Sequence, residues 1–268
     1  MIMRALSRLS IALLVAPALL PAQRSLAERL RSAGTRTVAF SARARVDVCG
    51  DGIASFSDGL SGPRTRVYDG MLLTHAPWDT RIAPCESGPM RVTVRMVEGV
   101  PSWLRVAVGP LPVLGDTVLD LGAVSTADAR EFLQSLARSG EGRASESAMM
   151  PLVLLDSVPR WQILAAAGRD TSRLLRYRRR AGDLLARAAA GTLSPQGPDD
   201  DDASGVRREA VYAIARKREK SEDPVPQLID IAEHNTHRDA RVAALYQLGQ
   251  LGDPRAIDLF SILLRGKP

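Results

Sequence analysis

The chain opens on an apolar run. Leu9 to Leu20 is broken only by Ser10, and Arg4 and Arg8 stand before it. Such a run is too short to span a bilayer comfortably. Small residues follow, as Ala16-Pro17-Ala18 and then Pro21-Ala22-Gln23. A basic start, a short apolar middle and a small-residue end form the layout of a secretory signal peptide. Residues 1–22 are therefore expected to be removed by cleavage after Ala22, with Ala18 as the other option. Kept in place, the same segment would act as an N-terminal anchor.

Beyond it the hydrophobic period changes twice. Leu26 and Leu30 lie one turn apart and Gly34 supplies a stop, which predicts a short helix over 23–34. From Thr35 the period is two. Val38, Phe40 and Ala42 alternate with polar neighbours, and Val46 and Val48 extend the alternation. Gly50-Asp51-Gly52 and Asp58-Gly59 are turn signals. Arg66 to Thr74 predicts a further strand. Val92, Val94 and Met96 run up to Glu98-Gly99, and Leu104, Val106 and Val108 run back, which predicts a β-hairpin. Near Ser125 the period becomes 3.6. Ser125 or Thr126 can cap a helix whose Ala129, Phe132, Leu133, Leu136 and Ala137 share one face. A second helix is expected over roughly 145–156, and a third with Pro159 at its first position. Only helices and short loops follow, apart from residues 191–204, where Pro, Gly and four Asp mark an exposed loop.

The expected architecture is α+β: a small β-rich domain over 23–122, then an all-α helical solenoid over 123–268. Composition supports a folded chain, with 45% hydrophobic and 25% charged residues. Aromatics are only 4%, so the cores are built from Ala, Leu and Val, which suits paired helices. The net charge of +6 is almost entirely Arg, because Lys217, Lys220 and Lys267 are the only lysines. That charge is spread along the whole chain, and Asp199 to Asp202 oppose it. A nucleic-acid footprint would cluster it, so no nucleic-acid partner is expected.

Cys49 and Cys85 are the only cysteines. An exported chain meets oxidising conditions, where an even count favours pairing. The bridge would close a loop of about 37 residues and add about 4 kcal/mol on the chain-entropy model. They make a poor metal site without CxxC spacing, and a thiol nucleophile would have only His75 close in sequence.

The strongest feature is internal repetition. Val206-Arg207-Arg208-Glu209-Ala210-Val211-Tyr212-Ala213-Ile214 superposes on Ala240-Arg241-Val242-Ala243-Ala244-Leu245-Tyr246-Gln247-Leu248 with a shift of 34. Asp223-Pro224 and Asp253-Pro254 follow, each leading into a second apolar helix. A weaker copy places Arg178, Ala181 and Leu185 29 residues before Arg207, Ala210 and Ile214. In that copy Gly182 and Asp183 occupy positions expected to be apolar, so loose packing is expected there.

Residues Arg241 to Phe260, with Leu248-Gly249-Gln250-Leu251-Gly252-Asp253-Pro254-Arg255-Ala256-Ile257, resemble the HEAT-repeat family. They resemble more narrowly the HEAT-like repeats of phycobilisome lyases. The match is clear over 205–266 and thin over 125–190, and Lys217 to Glu222 is an insertion against the pattern. The layout of the whole chain is also similar to exported bacterial HEAT-repeat proteins. The resemblance implies an α-solenoid presenting a concave surface to other proteins. It makes Arg207, Arg241, Ala210, Ala244, Asp253 and Pro254 structural residues of the repeat. It also makes the polar positions of the second helices, Gln227, Asp230, Asp258 and Ser261, candidate partner contacts.

Chemistry-bearing residues are sparse. His234 and His237 flank Asn235-Thr236 at a turn between repeats and read as solvated. His75 lies in a loop, and no nucleophile motif such as GxSxG accompanies it. A contiguous Asp run lacks the spaced ligands and turn glycine of a calcium loop. Trp78 and Trp103 are expected in the core. The expectation is thus a secreted or periplasmic, non-catalytic protein–protein scaffold, without cofactor or metal and without stable membrane insertion once the signal is removed. The alternatives are an enzyme of the phycobilisome-lyase kind and a ligand-binding β domain carried on a repeat stand.

Overall fold

The computed structural model describes residues 24–53, 55–57, 65–68, 71–74, 85–139, 142–190, 192–193, 204–216 and 222–265. The signal segment, His75, Trp78, Asp199 to Asp202 and Lys217 to Ser221 lie outside the described residues.

Helix α1 (Leu26–Arg31) starts in a capping box. The Ser25 hydroxyl accepts from the Glu28 N–H, and the Glu28 carboxylate accepts from the Ser25 N–H. Leu26 and Leu30 are its buried side chains, and Gly34 follows at φ 66°. Strand β1 (Thr37–Ala42) is one of the two inner strands of the first sheet. It runs antiparallel to β6 (Met90–Val97) and parallel to β8 (Val118–Ala123), with β7 (Val100–Val108) outside β6. Val38, Ala39 and Phe40 are consecutive and all fully buried, so both faces of β1 are covered there. Phe40 meets Phe132 of α2 (Thr126–Ser139) edge to face, with ring centroids 6.0 Å apart, so α2 packs on this sheet. The β6–β7 hairpin turns through Glu98 at φ 51° and Gly99 at φ 77°. Two successive positive-φ residues match the twist of the paired strands, and glycine takes one of them without strain.

A second sheet holds β2 (Cys49–Gly50), β3 (Ser55–Ser57), β4 (Thr65–Tyr68) and β5 (Met71–Thr74) in that order, all antiparallel. The Cys49–Cys85 disulfide is present at its first strand. Beside it, Gly50 and Glu86 exchange two backbone hydrogen bonds of 3.0 Å.

Several expectations are corrected. Arg66 to Thr74 is not one strand but a pair, with Tyr68 opposite Met71. The intervening Asp69-Gly70 is a hairpin-turn sequence that outweighs the apolar run. Val46 does not extend β1: it is 96% exposed in a turn, because the chain leaves the sheet after Ala42. Trp103 is 40% exposed, on the outermost strand, so it is not a core residue. The single helix over 145–156 is two, α3 (Gly142–Ser147) and α4 (Met149–Leu154). Leu155 then turns extended and pairs with Ala44, while Arg45 N–H donates to Leu154 and Asp156 N–H donates to Arg43. This short bridge ties the loop after β1 to the helical half. Arg160 adds a second tie, its guanidinium 3.6 Å from Asp47 and 4.2 Å over the Trp161 ring.

The remaining helices form two layers. One holds α6 (Leu175–Ala190), α9 (Arg238–Leu251) and α7 (Ser204–Ala215); the other holds α5 (Arg160–Arg169), α10 (Pro254–Leu263) and α8 (Val225–His234). Their order in space is not their order in sequence. Helix α9 lies between α6 and α7, so the α5/α6 pair covers the side of the last repeat away from α7/α8. The weak copy is therefore tightly packed, contrary to the expectation of loose packing. A Cβ on Gly182 would lie 2.5 Å from the Gly249 carbonyl oxygen, and one on Gly249 would lie 2.7 Å from that of Gly182. Only glycine at both positions lets the two backbones approach so closely. Asp183 is satisfied by Arg187 at 2.9 Å, Arg180 at 3.4 Å and Gln250 of α9 at 3.2 Å. Gly182→Ala forces the helices apart and is expected to cost about 1–3 kcal/mol, the usual range for overpacking. Thermal unfolding checks it, and an unchanged midpoint would remove the close α6–α9 crossing.

Buried apolar side chains form one cluster from Leu26 to Leu264. It crosses residue 122 without a gap, through the contact of Phe40 with Phe132.

Candidate interaction surface

Each second helix of the repeat starts from an Asp-Pro pair. Asp253 caps α10, its carboxylate accepting from the Arg255 N–H at 3.0 Å, and Pro254 opens the first turn. Proline fits there because the first helical N–H has no intrahelical partner. Asp223 accepts in the same way from the Val225 N–H ahead of α8. Arg255 joins the two caps. Its guanidinium donates to Asp223 at 2.7 and 3.0 Å and to Asp253 at 3.0 Å. This fixes the starts of α8 and α10 beside each other.

Arg255 holds the Asp253 carboxyl below its ordinary value of 3.8, by hydrogen bonding first and by charge as well. A depressed folded pKa means that the stabilisation is complete above the ordinary range and is lost as the pH falls through the lowered value. Asp253→Asn keeps a good cap but loses the charge. It is expected to flatten the acid limb of the stability curve below about pH 4 while leaving neutral stability within about 1 kcal/mol. Denaturant unfolding across that range checks this, and parallel acid limbs would contradict it.

The first helices are tied as well. Arg207 of α7 donates to both oxygens of Asp239 on α9 at 3.0 and 3.1 Å. Arg241, at the matching repeat position, is half-buried and makes no ion pair among the described residues. The neighbour on that side of α9 is α6, whose Arg178 donates to the Gly252 carbonyl at 2.7 Å. Ala244 is fully buried, whereas Ala210 is exposed on α7, whose buried side chains are Val211 and Ala215.

The four candidate contacts lie on α8 and α10. Gln227 and Asp230 are exposed on α8, and Asp230 meets His234 at 3.1 Å. Asp258 and Ser261 on α10 both engage Arg169 of α5. The guanidinium donates to Asp258 at 2.8 and 3.0 Å and to Ser261 at 3.0 Å. Ser261 in turn donates to the Ile257 carbonyl at 2.7 Å. Ile262, 56% exposed on α10, is an apolar side chain within this polar surface. The sequence reading missed Arg169, Asp239 and Arg255. The repeated Asp-Pro with Arg255 just behind it carried a signal for the last of these; Arg169 and Asp239 carried none without the helix order.

Among the described residues no group of His, Cys, Asp and Glu could hold a metal ion, and no helix is long and apolar enough to cross a membrane. Residues 198–268 match the family model of HEAT repeats. HEAT repeats stack into extended surfaces that commonly bind other proteins. No curated protein and no solved structure matches the chain.

Proposed function

We propose that the protein is exported and works as a non-catalytic scaffold that holds another protein on the surface of α8 and α10. The observation that carries this reading is Ile262, exposed on α10 beside Asp258 and Ser261, with α8 and its exposed Gln227 and Asp230 packed against α10. An apolar centre with a polar rim is the anatomy of a protein–protein contact. Arg169 holds Asp258 and Ser261 in fixed positions, which lowers the entropy cost of docking. The signal-peptide layout of residues 1–22 supports export, and so does the disulfide, which suits an oxidising compartment.

Two measurements test the parts separately. Mass spectrometry of periplasmic material should find a chain starting near Gln23, two hydrogens lighter than its reduced form; an intact N-terminus would remove cleavage and leave the anchor. A photo-crosslinker at Gln227 should trap one protein from native envelope extract. Ile262→Asp should abolish the adduct, while Arg130→Ala on the distant α2 should not. An adduct indifferent to Ile262→Asp would place the partner elsewhere.

A further inference from the structure

A second site lies away from the repeat surface, where α2, α5 and the start of α6 meet. They enclose an open-sided cavity of about 420 Å³. Ala137, Ile163 and Ala167 give it apolar walls, and Arg138, Arg173 and Tyr177 are its cationic and hydroxyl groups.

The ring of Tyr177 is packed away, with the residue 5% exposed, while its hydroxyl opens on the cavity and makes no hydrogen bond among the described residues. Burial pushes its pKa up, against the opposing charges of Arg173 and Arg138, so it stays a donor at neutral pH. Arg173 is compensated, its Nε donating to Asp170 at 3.1 Å, and Asp170 is further satisfied by Ser172. Arg138 is not compensated. Its Nε donates to the Gln134 carbonyl at 3.2 Å, and it makes no ion pair among the described residues. The cavity therefore combines one surplus positive charge, one free phenolic donor and apolar walls.

We propose that this cavity binds a small monocarboxylate with an apolar body, its carboxylate held between Arg138 and the Tyr177 hydroxyl and its body against Ile163 and Ala167. One surplus charge matches a monoanion and leaves a phosphate dianion short of a counter-charge. The guanidinium fork suits a carboxylate, which accepts two parallel hydrogen bonds from it. The site needs no residue of the α8–α10 surface, so it stands or falls independently of the scaffold reading.

Calorimetric titration of the full chain with octanoate, 1-octanol and octylammonium tests it. Octanoate should bind one to one and at least about tenfold more tightly than 1-octanol, the scale of one charge-assisted hydrogen bond. Octylammonium should bind least. Arg138→Gln changes an exposed side chain and should erase the preference for the acid over the alcohol. Tyr177→Phe keeps the ring and should weaken octanoate about fivefold, with 1-octanol less affected. Equal affinity for acid and alcohol, no saturation by octanoate below about 10 mM, or octanoate binding unchanged in both variants would each overturn the proposal.

Discussion

Replacing both cysteines, as Cys49→Ser with Cys85→Ser, is expected to cost about 2–5 kcal/mol. The bridge spans 36 residues of sequence. Loop-closure entropy for that length gives about 4 kcal/mol, released into the denatured ensemble when the bond is removed. The effect is local in the native state. Strand β2 has two residues and is anchored on one side by the disulfide and the Gly50–Glu86 hydrogen bonds, and on the other by β3, which has three. Strands this short carry little pairing energy of their own. Hydrogen exchange should therefore speed up over 49–57 and 65–74 first, while α5 to α10 keep their protection. Reducing the wild-type protein should reproduce the change. Equal losses in the helices, or no loss of stability, would refute the role given to the bridge.

Legibility in the sequence followed the range of the interactions involved. The β6–β7 hairpin, α1 and α2 were readable because their signals are local: an alternation, a capping serine, a turn at Glu98-Gly99. The disulfide was readable because the chain has only two cysteines. Strand β8, which lies parallel to β1, was only partly covered by the expected β region, because a parallel neighbour is joined through a long connection and leaves no turn signature. The helix order was not readable at all. A repeat read along the chain implies that the 178 copy stacks on the 207 copy, and that the 207 copy stacks on the 241 copy. The actual α6–α9 crossing depends on two glycines 67 residues apart, of which Gly182 looks like a defect in its own helix and Gly249 fits the repeat pattern. In the same way Asp183 looks misplaced until Arg187, Arg180 and Gln250 surround it. Repeat register placed Gln227, Asp230, Asp258 and Ser261 on second helices, and they lie on α8 and α10. The pairing of Asp258 and Ser261 with Arg169 could not be read, since it depends on α5 lying beside α10.

The helix order makes α9 the centre of the helical half, and Leu245 tests that. Leu245 is fully buried, and so are Ala244 and Leu248 on either side of it in sequence. Leu245→Ala is expected to cost about 2–5 kcal/mol, the range for deleting a large core side chain with its residual cavity. Where the loss spreads is the sharper result. In a stack read in sequence order, a defect in the last repeat would reach only its one neighbour, the 206–232 pair, because repeat stability sums nearest-neighbour terms. Here α9 contacts α6 as well as α7 and α8, and α5 and α6 both contact α10. Exchange protection should thus fall in 204–215 and 225–234 on one side and equally in 175–190 on the other. The antiparallel pairs of β1, β6 and β7 have no α9 contact of note and should hold. Retained protection over 175–190 in the mutant would contradict the central place of α9, and loss in the first sheet to the same degree would mean that the whole chain unfolds as one cooperative unit.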